Sequence, residues 1–129
     1  MRRVIIVDDD RQVGLCLEKL IPWKELDLEL AGVAYSGEEG FQLALEKQPD
    51  VIISDLVMPG LDGAEFCRRI MDVMSDVAFI FLTAYEDFSV ARLGMRYHVA
   101  DYVLKPIDRS KIAYLTELLR AIRQESDEK

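Results

Sequence analysis

Six side chains able to do chemistry stand at the downstream ends of short apolar runs: Asp8, Asp9 and Asp10 after run 4–7, Asp55 after run 51–54, Thr83 after run 78–82, and Lys105 after run 102–104. Carboxylates brought within a few ångströms of one another repel by several kcal/mol per pair at an effective dielectric of about 20, so such a group needs a cation. An incomplete, all-oxygen set suits Mg²⁺, which keeps several waters and takes a substrate phosphate as a further ligand. With a hydroxyl (Thr83) and an ammonium (Lys105) around one carboxylate, the set would stabilise a negatively charged phosphoryl group in flight. Asp55 would then be the nucleophile and would form an acyl phosphate.

The elements that must position these groups are legible in the hydrophobic pattern. The apolar runs 4–7, 30–34, 51–54, 78–82 and 102–104 are strand-sized, and three contain continuous stretches, Val4-Ile5-Ile6-Val7, Val51-Ile52-Ile53 and Phe79-Ile80-Phe81-Leu82. Continuous runs mark strands buried on both faces of a parallel sheet. Between them lie helical patterns: Val13, Cys16, Leu17 and Leu20; then Phe41, Leu43 and Ala44; then Ala64, Cys67, Ile70, Met71 and Met74; and last Ile112, Leu115, Leu118, Leu119 and Ile122. Ser36 with Glu39 reads as a capping box, Pro49 as a stop, and Asp62 and Asp108 as N-caps.

Strand and helix alternate as (βα)5, which predicts an α/β fold with a doubly wound parallel sheet; the flavodoxin-like strand order 2-1-3-4-5 is the natural arrangement. In that order strands one and three flank the switch point, where ligands bind beyond the carboxyl ends of the strands. The aspartates of those two ends should share one crevice. Segment 22–28, with Trp23, is longer than a minimal turn and carries no function on spacing alone.

At 129 residues, half of them hydrophobic, the chain is the size of one ordinary domain and leaves no room for a second. A net charge of −8 argues against direct contact with nucleic acid, whose phosphates demand clustered Lys and Arg. Run 4–7 is too short for a signal peptide core or a membrane span, so no membrane association and a cytoplasmic location are expected. Cys16 and Cys67 have no metal-type spacing and read as buried thiols. His98 is the single histidine, which disfavours a His-based metal site.

At these residues the sequence resembles the receiver domain of response regulators. The carrying motifs are Val4-Ile5-Ile6-Val7-Asp8-Asp9-Asp10, then Ser54-Asp55-Leu56-Val57-Met58-Pro59-Gly60-Leu61-Asp62-Gly63, then Leu82-Thr83-Ala84, and finally Asp101-Tyr102-Val103-Leu104-Lys105-Pro106. The resemblance covers nearly the whole chain, 1–124, with 125–129 a charged tail or the start of a linker. It implies that Asp8 and Asp9 are the acidic pair that holds Mg²⁺, Asp9 the more direct ligand, together with Asp55 and the backbone carbonyl of Val57. It further implies Asp55 as phosphoacceptor, Thr83 as switch hydroxyl, Lys105 as phosphate-binding ammonium and Tyr102 as switch aromatic. The Lys105-Pro106 bond is expected to be cis.

The implied protein is a signalling domain with self-catalysed phosphoryl transfer and dephosphorylation only, not a conventional enzyme. Its implied partners are a sensor histidine kinase and, on phosphorylation, a second copy, through the face of the fourth helix, fifth strand and fifth helix. Trp23 and Tyr85-Glu86-Asp87-Phe88 resemble receivers joined to AraC-type DNA-binding domains; a stand-alone relay receiver is the other reading. Where the family carries Gly before the fifth strand this chain has His98, for which a left-handed helix cap is expected. Gly94, inside the expected fourth helix, should weaken it. Val57 and Tyr85 place an apolar and a bulky group where water must enter, so slow self-dephosphorylation is expected.

Taken singly, these residues have plain structural readings: Asp8 to Asp10 as a solvated strand end, Asp62-Gly63 as a turn, Tyr102 as packing. Their order at four strand ends is what argues for a site. A dehalogenase-type phosphatase would need a second Asp where Val57 stands. A flavin mononucleotide protein would want a hydroxyl- and Gly-rich phosphate cradle in place of the acidic loop after Val7. A receiver unable to take phosphate is disfavoured because every site position is filled.

Overall fold

Alternation of side chains to opposite faces along three strands with continuous apolar stretches requires a helical layer on each side, and the computed structural model, which describes residues 2–84 and 96–127 (without the side chains of 125–127), has both. The elements are β1 (Arg2–Val7), α1 (Arg11–Leu20), β2 (Leu28–Ala34), α2 (Gly37–Lys47), β3 (Val51–Asp55), α3 (Gly63–Val73), β4 (Ala78–Thr83), β5 (Val99–Leu104) and the C-terminal helix α4 (Arg109–Asp127). All strand pairs are parallel and the order is β2-β1-β3-β4-β5, as the sequence implied. Gly94, within the expected helix between the fourth and fifth strands, and Tyr85, expected at the site entrance, both lie outside the described residues.

Odd and even residues of each central strand serve different cores. Ile5, Val7, Ile52, Phe79 and Phe81 join Phe66, Ile70 and Ala44 under α2 and α3. Val4, Ile6, Ile53, Ile80 and Leu82 join Leu17, Leu115 and Leu119 under α1 and α4. Burial on both faces makes β3 and β4 buried at every residue, whereas the edge strand β5 buries only Val103 fully.

The helix signals correspond to bonds. Ser36 Oγ accepts from Glu39 N at 3.1 Å while Glu39 Oε2 accepts from Tyr35 N at 2.9 Å, so the box closes one residue upstream of the cap. Asp62 Oδ1 accepts from Glu65 N at 2.9 Å and Asp108 Oδ1 from Lys111 N at 3.0 Å. Helix α2 ends at Gln48, left-handed at φ 51°, just before Pro49.

Three expectations need correction. His98 is not left-handed: among described non-glycine residues only Asp27 and Gln48 have positive φ. Its carbonyl accepts from Phe79 N, and Val99 N closes a tight turn onto the Tyr97 carbonyl, each at 2.9 Å, so pairing with β4 sets its conformation. Cys16 is half-buried and only Cys67 is buried, because Cys16 sits toward the solvent edge of the apolar stripe of α1. Strands β2 and β5 begin at Leu28 and Val99, upstream of runs 30–34 and 102–104, because edge strands carry polar residues such as Glu29 and Asp101 that mask the pattern.

Segment 23–27 is a turn ended by left-handed Asp27. Trp23 packs on the core under α1 and α4 and donates Nε1–H to the Glu18 carbonyl at 3.1 Å, which accounts for an aromatic residue in that loop.

Gly63 lies directly behind β3. A Cβ there would stand 2.3 Å from the Asp55 carbonyl oxygen and 2.7 Å from Leu56 Cα, backbone atoms that cannot move aside cheaply. Gly63→Ala is expected to lower stability by about 2 kcal/mol; an unchanged urea midpoint and slope would contradict this packing.

Candidate functional site

Strand register brings the site together. Val7 pairs with Ser54, so Asp8 follows beside Asp55. Asp55 pairs with Leu82, which puts Thr83 one residue farther along, and Thr83 pairs with Leu104, which puts Lys105 next in line. Lys105 N also donates to the Thr83 carbonyl at 2.8 Å. The four strand ends therefore reach one crevice, at the switch point between β1 and β3.

Within it, Asp8 is fully buried, Asp55 is 6% exposed, Thr83 is buried and Asp9 is exposed. One carboxylate oxygen from each of Asp8, Asp9 and Asp55 lies within 4.8 Å of the others. The Lys105 ammonium sits 3.1 Å from Asp8 Oδ2 and 3.3 Å from Asp55 Oδ2. Asp8 Oδ1 accepts from Asp10 N at 2.9 Å, and Asp55 Oδ1 accepts from Val57 N at 3.3 Å. The Lys105-Pro106 bond is cis.

This arrangement strains the protonation states. Burial first, and the Asp8 carboxylate second, push Asp55 up to about 6, against the lowering effects of Lys105 and the Val57 N–H. Burial likewise raises Asp8 above the usual carboxylate range despite its bond from Asp10 N–H and the nearby charge of Lys105. For Lys105, burial acts to lower the pKa, but Asp8 and Asp55 outweigh it and hold the ammonium charged. Asp8 Oδ2 is a buried side-chain oxygen with no hydrogen-bond donor among the described residues, since Lys105 Nζ is near it but out of line for a hydrogen bond. A buried oxygen so placed, with two further carboxylates at coordinating distance, fits a hard, oxygen-seeking divalent cation.

Asp10 stands apart from the cluster. Its Oδ1 accepts from Gln12 N at 2.9 Å and caps α1, a role signalled by an Asp just ahead of a helical pattern. Tyr102, on edge strand β5, is half-buried against the core under α2 and α3. Val57 is 52% exposed beside the site.

Residues 4–125 match the response regulator receiver domain family. The chain is a response regulator receiver domain. The receiver domain is 32% identical over 126 residues to the transcriptional regulatory protein YesN of Bacillus subtilis, covering 97% of this chain and 34% of that protein. It is 31% identical over 129 residues to the transcriptional regulatory protein HptR of Staphylococcus aureus, covering 99% of this chain and 50% of that protein. The receiver domain thus spans half or less of the length of these curated relatives. Among solved structures it resembles the REC domain of AraT, a response regulator from Geobacillus stearothermophilus, with TM-score 0.85 and 30% identity over 99% of this chain and 98% of that one. It also resembles a two-component transcriptional regulator AraC from Clostridium phytofermentans, with TM-score 0.80 and 30% identity over 100% of both chains. No described helix of the receiver domain is long and apolar enough to cross a membrane.

Proposed function

We propose that Asp55 accepts a phosphoryl group from a sensor histidine kinase in a Mg²⁺-dependent transfer, and that the acyl phosphate switches the surface that this domain offers its partners. The observation that carries the reading is the meeting of the Asp8, Asp9 and Asp55 carboxylates, within 4.8 Å of one another, with the Lys105 ammonium 3.3 Å from the acceptor. In the transfer an Asp55 carboxylate oxygen forms the new P–O bond as the P–N bond of the phosphohistidine breaks. The imidazole keeps the bonding electron pair and takes a proton from solvent. Lys105, already charged and placed by Asp8, binds a phosphoryl oxygen, and the Thr83 hydroxyl donates to another.

Asp8, Asp9, Asp55 and the Val57 backbone carbonyl would hold the Mg²⁺. Bound there, it supplies positive charge against the carboxylate repulsion and against the incoming phosphate. Phosphorylation adds roughly 1.5 to 2 negative charges, enough to bias a bistable surface. Thr83 then moves toward the phosphoryl oxygen, Tyr102 follows, and the face that includes β5 and α4 gains affinity for a second copy. Beryllofluoride, an acyl-phosphate analogue, should shift the amide NMR signals of β5; unshifted β5 signals in a chain that binds it would end this part of the reading.

That YesN and HptR are transcriptional regulatory proteins longer than this chain supports transcription control through a DNA-binding domain absent from it. The charge of −8 supports DNA contact by that domain and not by this one. Exposed Val57 offers an attacking water no polar guide, so Val57→Asn should speed loss of phosphate several-fold, followed as decay of the phosphorylated mass. An unchanged half-life would remove Val57 from the account of acyl-phosphate lifetime. The decisive experiment is intact mass after incubation with phosphoramidate, with and without Mg²⁺: a phosphate-sized gain that needs Mg²⁺ supports the proposal, and no gain with any small donor overturns it.

A further inference from the structure

Loop 56–62, which leads from the acceptor Asp55 to helix α3, is tied down from two sides. From β3 and β4, Leu56 N donates to the Leu82 carbonyl at 2.9 Å and Val57 N to Asp55 Oδ1 at 3.3 Å, while Gly63 N closes the loop onto the Leu56 carbonyl at 2.8 Å. The other tie comes from α2. Glu38 Oε1 accepts from Leu61 N at 3.1 Å across 23 residues of chain, and Gly60, at φ 77°, brings the loop backbone against the same carboxylate. Gly37 reinforces this, since a Cβ there would lie 2.3 Å from the Leu61 carbonyl oxygen.

The two acids in the first turn of α2 have different work. Glu39 is used locally, on Tyr35 N, to close the capping box. Glu38 is exposed and adds little to that cap, yet its carboxylate reaches the loop that carries Val57. A side-chain oxygen that accepts from a backbone N–H fixes the direction of that N–H as well as its distance.

We propose that Glu38 is a positioning residue for phosphoryl uptake: through Leu61 N it holds loop 56–62 so that the Val57 backbone is presented beside Asp55. This rests on the reading of Asp55 as phosphoacceptor. Holding the loop ready before the metal and donor arrive removes an ordering step from the reaction, as preorganised sites do.

The test uses the whole chain with Glu38→Ala and Glu38→Gln, the latter keeping a side-chain oxygen that can accept from Leu61 N. Glu38→Ala should speed hydrogen exchange of the Leu61 amide and slow Asp55 phosphorylation by phosphoramidate about fivefold, with thermal unfolding close to wild type. Glu38→Gln should restore most of the rate. A wild-type chain that takes up phosphate, with Glu38→Ala matching its rate, overturns this inference alone. Equal losses in both variants would also overturn it, since charge and not the bond to Leu61 would then be responsible. A wild-type chain that takes up no phosphate overturns both this inference and the phosphoacceptor reading.

Discussion

Asp55→Asn is expected to abolish the Mg²⁺-dependent, phosphate-sized mass gain outright, since no other described carboxylate shares its surroundings. Asp8 is fully buried and sits against Lys105, and Asp9 is exposed at the rim, so neither should stand in for a carboxylate that is 6% exposed and bonded to both Val57 N–H and the ammonium. Lys105 should remain anchored by Asp8 in the variant, 3.1 Å away, so the fold should survive. Persistence of the full mass gain in Asp55→Asn would move the acceptor elsewhere and undo the assignment. Peptide mapping of the phosphorylated chain would then locate the true acceptor.

The second large effect is on stability in the absence of divalent cations. Folded Asp55 titrates near 6 against an ordinary 3.8, because burial and the Asp8 carboxylate oppose its charge. Between those two values the folded state keeps a proton that the unfolded chain has released. Stability therefore falls as pH rises through that window, the reverse of a carboxylate stabilised by a salt bridge. From 3.8 to about 6, at about 1.4 kcal/mol per pH unit, the loss amounts to about 3 kcal/mol by neutral pH. Urea unfolding in EDTA at pH 5 and pH 7 should show the upper part of that loss, about 1.4 kcal/mol, as a slope that is shallower in Asp55→Asn, whose metal-free melting temperature at pH 7 should exceed wild type by about 5 °C or more. Added Mg²⁺ should stabilise wild type at pH 7 far more than the variant, since it binds only the folded cluster. Parallel pH slopes for the two chains would show that Asp55 is not held at a destabilising charge.

Asp8 takes part in the same balance. Its raised pKa and its Oδ2 without a hydrogen-bond donor describe a carboxylate kept buried at a cost to stability, while Lys105 compensates only in part. The proposed function would require that cost: a crevice satisfied by its own hydrogen bonds would have little affinity left for a cation or a phosphoryl group.

What the sequence by itself determined is what local patterning controls. Continuous apolar runs announce burial on two faces, and Ile5 and Ile6 do go to opposite cores. The caps at Ser36, Asp62 and Asp108 follow from residue types within four positions of the bonds they make. The order of acids, hydroxyl and ammonium at strand ends was legible because the parallel fold carries successive strand ends to one edge.

Tertiary structure alone decided the rest. Spacing alone did not say which aspartates of the 8–10 trio meet Asp55, although the family resemblance implied Asp8 and Asp9; that depends on the pairing of Val7 with Ser54 and on Asp10 turning to cap α1. The backbone at His98 depends on Phe79, a strand away, which overrode the left-handed cap expected where the family carries Gly. The reach of Glu38 to Leu61 spans 23 residues with no periodic signal to reveal it. Local preferences are set by the chain within a few residues, whereas register, pKa and loop anchoring depend on groups that become neighbours only when the sheet is assembled.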